Sequence, residues 1–341
     1  MRRLKRRSIA PGSEQETEPK SIRQRMPEHE QWRQKLKSIR RELRQKRRER
    51  SQIRGELRVA KRVANRRERA EHVRRMKSKK LEIFRLENEL RAAKARTEGA
   101  PETGSLPDFV IIGATKCGTT FLYNLLTKHP HVEPAAFKEP HYFDLLFEKG
   151  IEWYRGCFLP PRWKDGRRTI TGEATPGYLY DTHAAERMAD VIPEARLIAM
   201  LRNPVDRTYS SYQFFQVRHG REKGTFEQTI AAYLDRPHGD NLLHRSIYVD
   251  HLLRWSSFFS DEQMLVLKSE DVFERPQEML KRVLDFLDLP AWTPTDSDLQ
   301  NIRNKGSYEQ PMNPITRRQL EEYFEPHNQR LYEYLGEDFG W

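Results

Sequence analysis

The segment Asp108-Phe-Val-Ile-Ile-Gly-Ala-Thr-Lys-Cys-Gly-Thr-Thr-Phe-Leu-Tyr-Asn-Leu-Leu constrains the fold more than any other stretch of this chain. Phe109 to Ile112 form a short unbroken apolar run, the kind buried on both faces of a parallel sheet. Gly113 to Thr120 form a loop, after which Phe121, Leu122, Leu125 and Leu126 recur at helical spacing. Strand, glycine-containing loop and helix in that order make an anion cradle, because backbone N–H groups and the helix N-terminus converge on one phosphate. Further candidate strands are Thr169–Gly172, Arg196–Leu201 and Met264–Lys268, with amphipathic helices at Val283–Leu289 and Arg317–Leu335. The expected fold class is α/β: a three-layer P-loop-like domain with a central parallel sheet, preceded by a long basic helix or weak coiled coil.

The loop departs from a nucleoside-triphosphate loop in one respect. After Gly118 comes Thr119, where GxxxxGK[ST] places its lysine, and the lysine sits earlier, at Lys116. No strand-terminal Asp stands out as a Mg²⁺ holder. These features disfavour a P-loop nucleotide kinase or hydrolase, which stays as a rival class. A second rival is a non-catalytic scaffold working through its basic helical arm. Cys117 has no histidine beside it in the loop and reads as a packing residue.

Charge is unevenly spread. Residues 1–100 carry 34 Lys and Arg against 14 Asp and Glu, a formal +20 in a chain whose total is +12, so the remaining residues stand at −8. The basicity belongs to an appendage. Residues 1–30 read as a disordered basic and polar lead-in, and 31–96 as a long charged helix. Residues 97–107 form a linker, and 108–341 the folded domain. In the helical stretch Trp32, Leu36, Ile39, Leu43, Ile53, Leu57, Ala60 and Ala64 step by fours and threes, with Lys46 and Arg50 interrupting. A second register, Val73, Met76, Ile83 and Leu90, follows a phase break. This thin heptad seam suggests a coiled coil and a homodimer through 31–96. Without interleaved aromatics or a recognised motif, nucleic acid is not an expected partner. Two cysteines, Cys117 and Cys157, are too few for a disulfide framework. No apolar run approaches the roughly 20 residues of a membrane span, and no apolar stretch follows the basic start, so the expected location is cytoplasmic.

Gly113-Ala-Thr-Lys-Cys-Gly-Thr-Thr120 resembles the 5′-phosphosulfate loop of sulfotransferases that use 3′-phosphoadenylyl sulfate (PAPS). Arg202-Asn-Pro-Val-Asp-Arg-Thr-Tyr-Ser210, after a strand, is similar to the family's 3′-phosphate motif. The likeness is nearest to the heparan sulfate glucosamine N- and O-sulfotransferases, through Lys138-Glu-Pro-His-Tyr-Phe-Asp144, Gly172-Glu-Ala-Thr-Pro-Gly-Tyr178 and Arg245-Ser-Ile-Tyr-Val-Asp-His-Leu-Leu-Arg-Trp255. It implies transfer of a sulfuryl group from PAPS to a hydroxyl or amine of a glycan or glycolipid, with 3′-phosphoadenosine 5′-phosphate (PAP) as product and no metal required. Thr115, Lys116, Cys117, Gly118, Thr119 and Thr120 would cradle the phosphosulfate, Arg202 and Ser210 would grip the 3′-phosphate, and Lys305, Gly306 and Ser307 would form the last donor loop. Lys138, Thr175, Tyr178 and Arg245 would meet the acceptor. Glu139 is the expected general base, its pKa raised by the donor's negative charge. Lys116 supplies transition-state charge. His141, on the same face if the segment is extended, would orient Glu139 or the acceptor, or serve as the base. Departures are Ala174 in place of a family lysine, Ser307 in place of an arginine, and a missing cysteine-bridged hairpin.

Overall fold

The computed structural model describes residues 22–63, 66–98, 104–219, 224–235, 241–300 and 311–341. Two long helices come first, α1 (Ile22–Val63) and α2 (Arg66–Thr97). Their ion pairs run backwards along α2 as they run forwards along α1: Lys46 with Glu82, Glu49 with Lys79, Glu56 with Arg75. The helices are therefore antiparallel. Leu36, Ile39 and Leu43 bury against Ile83, Leu86 and Ala93 in a core of their own. The single helix expected over 31–96 is thus two, and α1 starts at Ile22, inside the stretch expected to be disordered. Residues 1–21 lie outside the described residues. The phase break between the two apolar registers marks where the seam passes from one helix to the other. Of the stripe expected to join two chains, Trp32, Leu36, Ile39 and Leu43 pack against α2 of the same chain.

The domain continues with β1 (Phe109–Gly113), α3 (Thr119–Leu126), β2 (Val132–Pro134), α4 (Tyr142–Leu145) and α5 (Ile151–Arg155). A small antiparallel ribbon, β3 (Trp163–Lys164) with β4 (Arg167–Arg168), precedes β5 (Ile170–Ala174). Then come α6 (Ala184–Val191), β6 (Arg196–Leu201), α7 (Pro204–His219), α8 (Phe226–Leu234), α9 (Tyr248–Ser256) and β7 (Met264–Lys268). The last elements are α10 (Ser269–Glu274), α11 (Pro276–Phe286), α12 (Asp296–Gln300) and α13 (Pro314–Leu335).

Five strands pair in the order β2-β5-β1-β6-β7, every pair parallel. The four strands expected from apolar runs all form. The fifth, β2, reads Val-Glu-Pro and offers no run to detect. All of β1 is buried, as its unbroken apolar sequence requires. In register, Phe109 faces Gly172 of β5, and its ring occupies the space a β-carbon at 172 would need, 2.5 Å away. From β1 the chain builds first towards β2 and β5, then across to β6 and β7. That reversal makes the carboxyl end of β1 the switch point where a crevice opens.

Candidate active site

The loop after β1 is held from three sides. Ala114 N–H donates to the Met200 carbonyl of β6 at 2.7 Å, and Thr115 N–H donates to the Tyr180 hydroxyl at 2.9 Å. Ser269 Oγ donates to the Cys117 carbonyl at 2.5 Å. Buried Arg207 donates from Nε to the Thr115 carbonyl, and from Nη1 to the Leu242 carbonyl and to Ser246 Oγ. Gly118 begins α3 with φ 87°, and a β-carbon there would lie 2.7 Å from the Phe273 ring. A glycine is needed on both counts. No side chain caps this helix, so its first N–H groups are left for an anion. The Lys116 ammonium lies 4.5 Å from the centre of the Phe214 ring, a cation–π distance. Burial pushes the Cys117 thiol up to about 11, so it stays a neutral packing group.

Arg202 follows β6, and its carbonyl accepts from the Tyr248 hydroxyl, whose oxygen lies 3.8 Å from Cys117 Sγ. Ser210 is buried on α7. Arg245 and Arg207 both lie over the Tyr180 ring, at 5.4 and 5.3 Å. The expected donor residues 115–120, Arg202 and Ser210, with Arg245, thus share one end of the sheet. Lys305, Gly306 and Ser307 lie outside the described residues.

The Lys138–Asp144 loop is tied to the glycine loop after β1 through Lys138, whose ammonium donates to Thr120 Oγ1 and pairs with Glu139 at 3.2 Å. His141 Nδ1 meets Asp144 Oδ2 at 2.8 Å, and Nε2 lies 3.9 Å from Glu139. Burial alone would raise the Glu139 carboxyl, but His141 and Lys138 outweigh it and hold it at about 2. Burial alone would lower His141, yet the carboxylates of Asp144 and Glu139 hold it up at about 9. The two cations flanking Glu139 oppose the rise expected from a donor's negative charge. One expectation changes here: the loop is not extended, since Glu139 has φ 56° and His141 φ 54°, and His141 begins the one-turn α4. A protonated His141, held by Asp144 and facing Glu139, has no free ring nitrogen to act as a base in this state.

Thr175 and Tyr178, expected to meet the acceptor, are fully buried behind this loop. Both donate to Glu173, Thr175 at 2.5 Å and Tyr178 at 3.1 Å, and Tyr154 donates to it at 2.7 Å. Tyr178 also accepts from the Tyr142 N–H, so it carries the order of this cluster to α4. Burial pushes Glu173 up to about 7 despite those three hydroxyls. Ala174 is buried too, so a lysine there would need a path outwards that this packing lacks. Glu173, Asp144 and Arg207 were missed as functional residues although each lies inside a segment singled out by sequence. A charged residue amid strand or apolar helix positions was the signal, since buried charge needs partners.

A family profile described as "Sulfotransferase domain" matches residues 106–325. The chain is 33% identical over 262 residues to heparan sulfate glucosamine 3-O-sulfotransferase 3B1 of Homo sapiens, covering 69% of this chain and 65% of that protein. It thus spans just under two thirds of that relative's length. It is 28% identical over 318 residues to a protein named membrane-associated sulfotransferase kil1, of Dictyostelium discoideum, covering 69% of this chain and 66% of that one. Among solved structures, a sulfotransferase from Alicyclobacillus acidocaldarius superposes with a TM-score of 0.56 at 28% identity, covering 69% of this chain and 98% of that one. These relatives overturn the expectation of a cytoplasmic location, since one is membrane-associated by name. No helix among the described residues is long and apolar enough to cross a membrane, which does not assign a compartment.

Proposed function

We infer that this chain, which belongs to the sulfotransferase domain family over residues 106–325, transfers a sulfuryl group from PAPS to an amino-sugar hydroxyl or amine of a glycan. The observation that carries the reading is the junction of two loops at one strand end: the uncapped glycine turn with Lys116, and Glu139 bridged to it through Lys138. The α3 N-terminus suits the 5′-phosphosulfate, and Arg202 with Ser210 suits the 3′-phosphate by charge and hydrogen bonding. The glucosamine acceptor named for the Homo sapiens relative supports the acceptor class.

In the transfer, the acceptor oxygen or nitrogen attacks sulfur, the bond from sulfur to the phosphate oxygen breaks, and the acceptor proton passes to Glu139. Lys116, swung from Phe214, meets the charge developing on the leaving phosphate. The donor's negative charge opposes the cations beside Glu139 and moves its proton affinity up towards working pH. His141, clamped by Asp144, keeps Glu139 aimed.

The test pairs binding with turnover. PAP should raise the melting temperature more than ADP, ATP or GDP. Glu139→Gln should retain that stabilisation while losing about 10²- to 10⁴-fold in kcat with PAPS and glucosamine-containing oligosaccharides. Full turnover in Glu139→Gln removes the proposed base, and equal stabilisation by ADP and PAP removes the donor.

A further inference from the structure

Helix α1 is basic along one stripe, and the hairpin's geometry says where that stripe points. Arg33, Lys37, Arg40, Arg44 and Arg48 are all exposed, and recur at steps of four, three, four and four. At 3.6 residues per turn they fall within roughly 80° of arc over about 22 Å. Glu42 and Glu49 lie on the opposite flank, and Glu49 is spent on Lys79 of α2. Among the described residues the five stripe cations have no carboxylate partner.

Arg47 lies at the stripe's edge and pairs with Glu87 of α2 at 2.7 Å. Glu87, Phe84 and Arg91 share one flank of α2 by the same count. On that flank Phe84 stands edge-on to the His141 ring at 4.8 Å, and Arg91 reaches the Lys138 carbonyl at 3.5 Å. Lys46–Glu82 and Glu49–Lys79 mark the other flank. The stripe therefore runs along the side of the hairpin that meets the Lys138–His141 loop.

We propose that this stripe, continued by exposed Arg91, is a docking surface for a linear polyanionic saccharide, carboxylated or sulfated, whose reacting sugar reaches Glu139. The proposal rests on the glycan-acceptor reading and adds to it a second contact surface, on a helix that precedes the matched family domain. Two rival occupants fit less well. A lipid surface needs an apolar helix face, and Leu36, Ile39 and Leu43 are buried against α2. A single-stranded nucleic acid draws on open aromatic faces for stacking, and the ring of Trp32 is faced by Lys35 and Arg96.

The experiment compares the full chain with its Arg40→Gln/Arg44→Gln/Arg48→Gln variant. Probes are a long sulfated polysaccharide, a sulfated disaccharide, a single-stranded oligodeoxynucleotide and phosphatidylserine vesicles, each titrated at several salt concentrations. The parent should prefer the polysaccharide. The variant should lose about tenfold or more for it, and its slope of log affinity against log salt should fall by about two to three, a little under one per cation removed. Disaccharide affinity should be unchanged. Unchanged polysaccharide affinity in the variant, or tighter binding of oligonucleotide or vesicles by the parent, overturns the proposal. Melting with PAP is read on both proteins: intact stabilisation shows the variant folded and leaves the donor reading standing whatever the polyanion result. If the variant does not fold, Arg33→Gln/Lys37→Gln, at the far end of the stripe, should show a smaller loss, and no loss in that pair overturns the proposal.

Discussion

Lys116, Glu139 and His141 are three of the five non-glycine residues at positive φ among the described residues. Left-handed backbone is uncommon for residues with side chains and persists where surrounding contacts over-determine it. Here those contacts are the Lys138 bridge, the Asp144–His141 bond and the grip on the loop by Arg207. The pH dependence follows from the same groups. His141 faces Asp144, Glu139 and the uncharged ring of Phe84, and holds its proton to about 9. A histidine raised in the folded state contributes stability that is fully present below its ordinary value and lost as pH rises through 9. Activity should follow: kcat/KM flat through neutral pH and falling above about 9 as Glu139 loses its orienting cation. In His141→Gln the alkaline limb should vanish and the plateau drop. An alkaline limb that persists in the variant removes His141 from this role.

At the scale of elements, β1 and the turn into α3 were legible because an unbroken apolar run, a glycine loop and helical periodicity coincide there. The same logic found β6 and β7. Strand β2 escaped because three residues containing Glu and Pro carry no periodicity, and it exists by pairing with β5. Glu139 and Lys116 were singled out by type and spacing. The low Glu139 carboxyl and the Lys116–Phe214 contact were not legible, because the left-handed turns at Glu139 and His141 and the approach of α7 are set by the fold. The hairpin was misjudged for a related reason: a heptad seam records that a partner helix exists, not whether it belongs to the same chain. Packing between β1 and β5 gives a sharp test. Gly172→Ala places a methyl 2.5 Å from the buried ring of Phe109, and overpacking of this kind costs about 1–3 kcal/mol. Denaturant unfolding should show a midpoint shift of that size with an unchanged slope. A neutral result would mean that the two strands separate more easily than their register suggests.

The whole molecule has two hydrophobic cores, one between α1 and α2 and one around the sheet. They meet through polar and aromatic contacts: Phe84 on His141, Glu89 with Lys149 at 2.5 Å, and Arg85 with Glu148 at 3.5 Å. Separate cores open separately. Amide exchange of α1 should proceed while β1 and β6 stay protected, and PAP should slow exchange in the loop before α3 without slowing α1. A single common opening free energy for α1 and β1 would show one cooperative unit instead. The order of the chain adds something about biosynthesis. Arg91 precedes its contact at Lys138 by 47 residues, so a nascent hairpin leaves the ribosome well before the segment it leans on. Until the later stretch emerges, a growing polypeptide exposes the unattached side of α2, aromatic ring included, and a truncation that removed the hairpin would bare the Lys138–His141 loop on which Phe84 and Arg91 lean.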